Sequence, residues 1–369
     1  MRPRTIIISG GGTGGHLYPA LAVGAKLKER DPLLRLVYVG SRRSVEKTIM
    51  DGRGIPFIAL PVEGIKGRGF RMLKSLLILP WSMIRSLGLL LGIGPGLVIG
   101  MGGYSSGPLV LAASFFRIPT LILEQNAAPG FTNRLLLPFV TRAVASFPDS
   151  LPYFRGKGVV LGNPVREEFY GLGTKARTDV FTLFVFGGSQ GSRVLNEAAV
   201  RMLPLLAADK DRIEIFHQTG PADLDRVKDG YARAGFGRAV VAPFFENMAE
   251  LFEQADLCLC RAGATTIAEL VAARRTAILV PFAGAADNHQ LRNARELERL
   301  GAAEVLTEEE LDPERLAGRV RAFLDDRDKA LRLAANLEPL RTEDAAANIV
   351  ALCLDLMKGR AGRSGTDHG

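Results

Sequence analysis

The chain has few cysteines and no recognisable export signal, and both features bear on its compartment. Its three cysteines, Cys258, Cys260 and Cys353, form no CxxC pair and leave an odd thiol. This pattern argues against a disulfide-stabilised secreted fold and favours a reducing compartment. The N-terminus leads directly into a strand-like run, without the charged and then apolar segments of a signal peptide. We therefore predict that the protein stays in the cytoplasm.

A run of apolar residues long enough to cross a bilayer is also missing. The most apolar stretch, residues 66–94, contains Pro80 and Arg85, so no charge-free run reaches the ~20 residues of a spanning helix. Basic and large apolar side chains mix within it, as on an interfacial surface that meets anionic headgroups. A core helix with a solvated basic end is an equally good interpretation. The residues concerned are Lys66, Arg68, Arg71, Lys74, Arg85, Leu76, Leu77, Leu79, Trp81, Met83 and Ile84.

The charge balance is basic, with 47 Lys and Arg against 39 Asp and Glu and a net charge of +8. Such a balance favours an anionic partner. Either a polyanionic molecule or an anionic surface would satisfy it; of the two we expect an anionic membrane surface, and we expect no nucleic acid. At 369 residues, the chain is too long for one typical core and suits two domains of ordinary size.

What the sequence does contain is one glycine-rich turn that occurs twice. The two copies are GGGTGGH at residues 10–16 and FGGSQGS at residues 186–192, each directly after a short apolar strand-like run. Glycines let the backbone approach a ligand closely, and the first N–H groups of the following helix stay unpaired. Such a turn favours phosphate or diphosphate. The repeat predicts two similar α/β domains.

Strand-like and helical segments alternate through both halves of the chain. The alternation predicts doubly wound parallel sheets, in which ligands sit beyond the carboxyl ends of the strands. In the first half we predict strands within residues 5–9, 34–40, 55–61, 96–103 and 119–126. In the second half the strand-bearing segments are 181–186, 213–220, 238–248, 256–270, 276–282 and 302–307.

A domain boundary is predicted at residues 162–179, where glycine, proline and charged residues interrupt the apolar periodicity. This composition is typical of a hinge. We therefore assign residues 1–162 to an N-terminal domain and residues 163–357 to a C-terminal domain. Residues 358–369 are small, polar and basic, and are predicted to form a disordered tail.

The first glycine turn also resembles a dinucleotide fingerprint, because Gly10, Gly12 and Gly15 fit GxGxxG. The acidic residue expected after the second strand is absent, however, and Arg42 and Arg43 stand there instead. Two arginines suit a 2′-phosphate, so an NADP-dependent oxidoreductase stays open. No Lys-Ser/Thr pair follows either glycine turn, which argues against a P-loop NTPase.

Several polar side chains at predicted strand ends have a chemistry that suits a sugar nucleotide. His16 closes the first turn at a helix N-terminus, where a neutral imidazole is favoured and can accept a proton from a hydroxyl. Thr265 and Thr266 suit a helix cap or a phosphate, and Glu269 suits a ribose diol. Residues 287–290 carry the amides and hydrogen-bonding groups that a sugar requires. The simpler alternatives, a histidine bonded only to its own turn and a threonine N-cap followed by an acidic residue, stay open.

Seven motifs together resemble the MurG family, the bacterial N-acetylglucosaminyltransferases that convert lipid I to lipid II. The family's order and spacing are kept along nearly the whole chain, which is far more specific than any one motif. The motifs are GGGTGGH, GMGGYSSGP at 100–108, EQNAAPG at 124–130, GNPVRE at 162–167, FGGSQGS, CRAGATTIAEL at 260–270 and DNHQLRNA at 287–294.

The resemblance implies a GT-B fold, with two Rossmann-like domains facing across a cleft. It implies inverting transfer of N-acetylglucosamine from UDP-N-acetylglucosamine to the 4-hydroxyl of the muramoyl sugar of undecaprenyl-diphospho-muramoyl-pentapeptide. The N-terminal domain would bind this acceptor and the membrane, and the C-terminal domain would bind the UDP-sugar. It also implies a peripheral protein on the cytoplasmic face of the inner membrane. Its role would lie in peptidoglycan synthesis, cell shape and division, with cell-wall synthesis proteins as partners.

Site residues follow from the resemblance position by position. His16 matches the general base favoured in the family. Phe245 stands where the family contacts uracil through backbone atoms, although other members have an aliphatic residue there. His289 is a glutamine in some members. The remaining donor contacts would be Arg166, Ser189, Ala264, Thr265, Thr266, Glu269 and Gln290, and the facing acceptor side would use Thr13, Gly14, Gly15 and Asn126.

Neither a metal nor a cofactor is expected. The acidic pairs Asp223/Asp225 and Asp326/Asp328 lie in helical or linker contexts away from the glycine turns, so we expect no metal ligands among them. A helix N-terminus and an arginine can stabilise a departing diphosphate without a metal. A sugar-nucleotide epimerase, which needs no lipid acceptor, and a non-catalytic membrane-surface protein stay open beside the transferase.

Overall fold

Two compact units make up the protein. The structure, a computed structural model, describes residues 5–11, 14–41, 50–52, 54–62, 70–173 and 178–363. Unit 1 comprises Met1–Val165 and Asp344–Gly369, and unit 2 comprises Arg166–Glu343. Each unit has a parallel sheet with helices around it, as predicted for the fold class.

Unit 1 is built on a seven-stranded parallel sheet. Its strands are β1 (Thr5–Ser9), β2 (Arg35–Ser41), β3 (Phe57–Leu60), β4 (Leu97–Gly100), β5 (Thr120–Glu124), β6 (Arg142–Ala145) and β7 (Gly158–Val160). They lie in the order β3-β2-β1-β4-β5-β6-β7. The helices between them are α1 (Gly14–Arg30), α2 (Phe70–Ile93), α3 (Ser106–Phe115) and α4 (Phe131–Leu136), with a 3-10 helix at Pro148–Phe154.

Unit 2 is built on a six-stranded parallel sheet. Its strands are β8 (Phe181–Phe186), β9 (Ile213–Gln218), β10 (Val240–Ala242), β11 (Leu257–Cys260), β12 (Ala277–Leu279) and β13 (Glu304–Val305), in the order β10-β9-β8-β11-β12-β13. Its α-helices are α5 (Arg193–Met202), α6 (Leu224–Arg233), α7 (Met248–Gln254), α8 (Ala264–Ala273), α9 (His289–Arg299), α10 (Pro313–Asp325) and α11 (Arg327–Ala335).

The two sheets share one strand order, and this order places the glycine turns. The direction of winding reverses between β1 and β4 in unit 1, and between β8 and β11 in unit 2. Strands β1 and β8 are buried along their whole length, because helices cover both faces of a parallel sheet. Both glycine turns follow these central strands, at the switch points where ligands bind in such folds.

Two strands of unit 1 were not predicted, namely Arg142–Ala145 and Gly158–Val160. The apolar runs at these strands, AVA at 143–145 and VVL at 159–161, are only three residues long and give a weak strand signal. They pair next to β5 and extend the sheet at that edge.

The last helix, α12 (Ala345–Arg363), belongs to unit 1, whereas the sequence analysis assigned residues up to 357 to the C-terminal domain. Its apolar side chains Ile349, Val350 and Cys353 are buried in the same core cluster as Leu17 and Leu27 of α1. An amphipathic helix must cover its apolar stripe, and this one does so on unit 1. Helix α12 also continues through residues 358–363, which the sequence analysis placed in the tail.

Helix α2 runs through Pro80, which interrupts the apolar sequence but not the helix. Buried hydroxyls follow the proline: Ser82 Oγ donates to the carbonyl of Ile78 at 3.1 Å, and Ser86 Oγ donates to the carbonyl of Ser82 at 2.7 Å. Within the residues described, no helix combines the length and the apolar character that a bilayer crossing requires.

All three cysteines are buried thiols without a disulfide. Cys258 and Cys260 lie two residues apart in β11, and Cys353 lies in α12. Burial raises the pKa of the Cys258 thiol to about 12, so the group stays protonated at neutral pH. The three thiols therefore act as small apolar core groups.

Candidate active site

The second glycine turn is a tight left-handed loop after β8. Gly188 and Gly191 have φ angles of +93° and +74°, and the N–H of Gly191 donates to the carbonyl of Gly188 at 3.0 Å. A Cβ on Gly191 would collide with the carbonyl of Thr219, so this close approach requires glycine. The turn leaves Ser189 exposed at its tip.

Ser192 ends this turn and caps α5. Its Oγ accepts from the N–H of Leu195 at 3.4 Å and from Nε of Arg261 at 3.0 Å. Arg261 is itself buried, donates to the carbonyl of Val280 at 3.1 Å, and forms an ion pair with Glu308 at 2.6 Å. This arginine therefore ties the start of α5 to the ends of two neighbouring strands, a role that the sequence analysis did not assign.

Helix α8 begins without a side-chain cap. Its N-cap is Gly263, which has extended backbone angles and offers no side-chain acceptor for the first-turn N–H groups. Within the described part of the chain, Thr265 Oγ1 is buried and has no hydrogen-bond partner. The positive end of a helix dipole and an orphaned hydroxyl suit an anionic oxygen. The predicted residues Ala264, Thr265 and Thr266 form this first turn.

Glu269 lies further along α8 and is buried to all but 15% of its side chain. Burial raises its pKa to about 7; the neighbouring Glu168 adds to the rise and the Arg166 cation opposes it. Arg166 Nη2 lies 4.0 Å from Glu269 Oε1, and Arg166 Nη1 lies 2.9 Å from Glu168 Oε1. The structure therefore brings the predicted residues Arg166 and Glu269 together, with the carboxylate only loosely paired.

Phe245 is held to the second glycine turn by a buried side-chain amide, that of Gln218. Gln218 Oε1 accepts from the N–H of Phe245 at 2.9 Å, while Gln218 Nε2 donates to the carbonyl of Gly188 at 3.0 Å. The Phe245 ring packs edge-on against Phe184 and Phe216. Since the N–H of Phe245 is used in this way, a base that met its backbone would meet the carbonyl oxygen.

Gln290 lies in the first turn of α9, where its Oε1 accepts from the N–H of Phe282 at 3.0 Å. The amide nitrogen is therefore the group that Gln290 can offer to a ligand. Asp287 and Asn288, directly before this helix, both adopt left-handed backbone angles, with φ of +52° and +53°. Strain of this kind in non-glycine residues is frequent at binding sites.

The first glycine turn carries a titratable side chain. Gly14 and Gly15 form the start of α1, and His16 follows them, partly buried. Its Nδ1 lies 3.3 Å from Oε1 of Gln125, at the end of β5. Thr13, which the resemblance placed on this side, lies outside the described residues.

Asn126 is held by a buried carboxylate at the end of β5. Glu124 Oε1 accepts from the N–H of Asn126 at 3.0 Å and from its Nδ2 at 2.9 Å. Glu124 Oε2 accepts from the N–H of Gly130 at 2.9 Å and from Nδ2 of Asn133 at 2.8 Å. The carboxylate thus closes the loop after β5 and orients Asn126 at the same sheet edge as His16.

One acidic residue lies closer to a glycine turn than expected. Asp223 Oδ2 accepts from Nδ2 of Asn196 at 2.9 Å, and Asn196 lies in the first half of α5. Asp223 also pairs with Arg226 at 2.9 Å. In the residues that the structure describes, no group of three or more His, Cys, Asp or Glu side chains is arranged to hold a metal ion.

Comparisons with known proteins identify the family of the chain. The glycosyltransferase family 28 N-terminal domain matches residues 6–145, and the C-terminal domain of the same family matches residues 182–349. A UDP-N-acetylglucosamine--N-acetylmuramyl-(pentapeptide) pyrophosphoryl-undecaprenol N-acetylglucosamine transferase of Anaeromyxobacter sp. (strain Fw109-5) is 40% identical over 99% of this chain and 97% of its own length. The chain belongs to the MurG family. The resemblance seen in the sequence is thereby confirmed, and the protein is a glycosyltransferase.

Other members of the MurG family support the same assignment. The transferase of the same name from Syntrophus aciditrophicus (strain SB) is 42% identical over 96% of this chain and 99% of its own length. The crystal structure of the Acinetobacter baumannii MurG superimposes with a TM-score of 0.80 at 29% identity, over 96% of this chain and all of the other. The two-domain GT-B fold is therefore confirmed. Arg42 and Arg43, on which the NADP alternative depended, lie outside the described residues.

The predicted residues separate by unit. Arg166, Ser189, Phe245, the first turn of α8, Glu269 and Gln290 belong to unit 2, whereas Gly14, Gly15, His16 and Asn126 belong to unit 1. The sequence analysis assigned no role to the buried residues that hold these groups in place. These are Glu124, Gln125, Gln218 and Arg261.

Proposed function

We propose that the enzyme transfers N-acetylglucosamine from UDP-N-acetylglucosamine to the 4-hydroxyl of the muramoyl sugar of undecaprenyl-diphospho-muramoyl-pentapeptide, converting lipid I to lipid II. The acceptor hydroxyl attacks C1 from the face opposite UDP, so the anomeric configuration inverts. The observation that carries the proposal is the full-length match to transferases of this name, at about 40% identity. In the reaction, the acceptor O–H bond and the bond from C1 to the diphosphate break as the new glycosidic bond forms.

Unit 2 supplies the donor side of this proposal. The diphosphate would lie against the tip of the second glycine turn at Ser189 and the uncapped N-terminus of α8, with Thr265 Oγ1 as a further donor. Arg166 is close enough to Glu269 to serve the same ligand. These fixed positive ends stabilise the charge that gathers on the departing UDP.

Glu269 and Gln290 would orient the donor. An ionised carboxylate can accept hydrogen bonds from both ribose hydroxyls, and the loose 4.0 Å contact with Arg166 leaves Glu269 able to do so. Gln290 would donate from its amide nitrogen to a sugar hydroxyl, and the Phe245 carbonyl would face the uracil. These contacts bind the donor without touching the proton that is transferred.

Unit 1 supplies the acceptor side. His16 would accept the proton of the attacking hydroxyl, a role usually worth ~10²–10⁴-fold in rate. Gly14, Gly15, Asn126 and Thr13 would contact the acceptor diphosphate and the sugar. Asn126 is suited to this because Glu124 fixes its side chain.

The same unit carries a surface suited to the inner face of an anionic membrane. Helices α2 and α3 pack together, as do α3 and α4, and all three carry exposed apolar residues. Exposed arginines are interspersed, as on surfaces that dock to anionic headgroups. This basic apolar surface comprises Leu79, Trp81, Ile84, Leu91, Phe115, Phe116, Phe131, Leu135, Phe139, Arg85, Arg117, Arg134 and Arg142. The bound enzyme would then meet its lipid acceptor and other cell-wall synthesis proteins at that membrane.

The test supplies the purified protein with a lipid I analogue and radiolabelled UDP-N-acetylglucosamine. Labelled disaccharide-lipid with a β linkage is the expected product. Label that stays in the nucleotide pool as a different UDP-sugar would instead indicate an epimerase. Release of UDP without labelled lipid would refute the proposed acceptor.

A further inference from the structure

Gln125 joins the histidine of the first glycine turn to a neighbouring strand end. It follows β5 directly, is 2% exposed, and makes two hydrogen bonds through its side-chain amide. Its Nε2 donates to the carbonyl of Met101, which follows β4, at 3.0 Å. Its Oε1 faces Nδ1 of His16 at 3.3 Å, across 109 residues of sequence.

The chemistry of the three groups fixes which atoms are protonated. The carbonyl of Met101 can only accept, so the amide nitrogen of Gln125 must face it. The amide oxygen is then turned to His16, and an oxygen that only accepts needs an N–H opposite it. Nδ1 of His16 must therefore carry the hydrogen. A neutral imidazole has a single N–H, so its lone pair lies on Nε2.

The imidazole ring is also confined by the loop after β4. Gly102 and Gly103 have φ angles of +92° and +75° and pass beside the ring. A Cβ on Gly102 would lie 2.9 Å from Cε1 and 3.1 Å from Nδ1 of His16, so a side chain at this position would displace the ring. A ring confined in this way keeps Nδ1 directed at Gln125.

We propose that Gln125 is a positioning residue that holds His16 as the Nδ1–H tautomer, with the basic lone pair on Nε2. The inference rests on the proposed function, in which His16 is the general base. An imidazole with the hydrogen on Nε2 would have no lone pair at the nitrogen away from Gln125. The glutamine thus determines how much of the enzyme is ready to accept a proton.

A second histidine, for which we expect the other tautomer, provides an internal reference. His217 is buried, with Nε2 at 3.0 Å from Oδ1 of Asn196 and Nδ1 at 3.1 Å from the hydroxyl of Tyr231. Asn196 Nδ2 donates to the carbonyl of Thr219, so its oxygen faces the ring and requires an N–H on Nε2. Burial lowers the pKa of His217 to about 3, so the ring stays neutral. His217 should therefore be the Nε2–H tautomer.

The test is a long-range ¹H–¹⁵N spectrum of the whole protein labelled at histidine, which separates the two tautomers by their nitrogen shifts. The chain has four histidines, so His16→Gln and His217→Gln are enough to assign the two signals. We expect the Nδ1–H pattern for His16 and the Nε2–H pattern for His217 in the wild-type protein. An Nε2–H pattern for His16 would overturn the proposal without any need for a Gln125 variant.

The second arm uses Gln125→Met, which keeps the length of the side chain and removes its acceptor oxygen. We expect the His16 signal to shift toward the Nε2–H pattern while the His217 signal stays unchanged. The kcat should fall ~10-fold or more, because fewer molecules hold the base ready, and the KM for UDP-N-acetylglucosamine should stay the same. Gln254→Met, at the exposed end of α7, is the matched control and should change neither quantity.

The two arms separate this inference from the proposed function. An unchanged His16 tautomer in Gln125→Met would refute the positioning role. The expected tautomers together with full activity of His16→Gln would support the positioning of the ring and refute the role of His16 as base.

Discussion

Two buried glutamines, one in each unit, make hydrogen bonds of the same kind but hold different groups in place. Gln125 follows β5 and Gln218 ends β9; both are 2% exposed, and each donates from Nε2 to a main-chain carbonyl at 3.0 Å. The oxygen of Gln125 faces the imidazole of His16, whereas the oxygen of Gln218 accepts from the main-chain N–H of Phe245. The first orients a group that can exchange a proton, and the second fixes the shape of a binding surface.

This difference teaches how one topology serves two tasks. Both units place a glycine turn at the switch point of the same strand order. In unit 2 the turn ends in Ser192, whose hydroxyl caps the following helix. In unit 1 the turn ends in His16. We propose that the identity of that last side chain, and not the strand order, determines whether the turn binds an anion or takes part in proton transfer.

The largest effect should come from removing the imidazole. We expect His16→Gln to lower kcat by ~10²–10⁴-fold while the KM for UDP-N-acetylglucosamine stays nearly constant, because the donor contacts lie in unit 2. Steady-state kinetics with a lipid I analogue measure both quantities. A kcat within a few-fold of the wild type would show that the two turns do not differ in the way proposed.

Removing the Glu269 carboxylate should have the opposite effect and weaken donor binding more than it lowers kcat. We expect Glu269→Gln to weaken donor binding by ~10-fold or more, because hydrogen bonds to a charged group are lost, with a smaller change in kcat. In the wild type, donor affinity should fall as the pH drops through about 7, where the carboxylate becomes protonated. Calorimetric titration of UDP-N-acetylglucosamine between pH 6 and pH 8 measures this, and Glu269→Gln should give a flat profile.

The same substitution should stabilise the protein at alkaline pH. Because the folded pKa of Glu269 is raised, the native state binds this proton more tightly than the unfolded chain, and stability is lost as the pH rises toward 7. Glu269→Gln avoids that loss and should raise the free energy of unfolding by about 1–3 kcal/mol at pH 8, but not at pH 4. A lower Tm at pH 8 would mean that the contact with Arg166 is mainly structural.

The basic apolar surface, which we propose docks to the membrane, lies in unit 1. We expect Leu79→Ser combined with Trp81→Ser to lower binding to anionic vesicles by ~10-fold, since two exposed apolar side chains are lost. Activity on a water-soluble acceptor analogue should stay unchanged. The matched control is Leu331→Ser, because Leu331 is exposed on α11 of unit 2. Phe244 is also exposed in unit 2, but it adjoins Phe245 and is therefore not a suitable control. Equal vesicle binding of the wild type and the double variant would place membrane docking elsewhere.

The smallest effect, and the sharpest comparison, comes from Gln218→Met. The carbonyl of Gly188 and the N–H of Phe245 would lose their partner, which should lower stability by about 1–3 kcal/mol. The KM for the donor should rise a few-fold with kcat preserved, the reverse of the pattern expected for Gln125→Met. If both glutamine variants changed the same kinetic constant, the contrast between the two units would fail.

Much of this architecture follows from local sequence. The strands that carry the two turns are buried apolar runs directly before glycines, so their positions and the doubly wound parallel sheets could be predicted. Strands β6 and β7 were not predicted because the apolar runs at these places, AVA at 143–145 and VVL at 159–161, are only three residues long. The assignment of α12 to unit 1 was not predicted, because an apolar stripe shows that a helix packs on a partner but not which unit provides it.

The roles of the residues that support the site were not predicted for a different reason. Gln125 and His16 are separated by 109 residues, and Arg261 and Ser192 by 69. Amides and guanidinium groups occur in many surroundings, so their composition alone does not reveal a partner. One signal was available: Glu124, Gln125, Gln218 and Arg261 each end or directly follow a parallel strand, where such folds gather their ligand-binding groups.

Helix α12 affects the order in which the two units can complete their cores during synthesis. Unit 2 is complete once Glu343 has been synthesised, but the core of unit 1 still lacks Ile349, Val350 and Cys353 at that point. Domains usually fold as units in the order in which they leave the ribosome. We therefore expect unit 1, although most of it is synthesised first, to complete its core last, with the apolar side chains of α1 that α12 covers exposed until then.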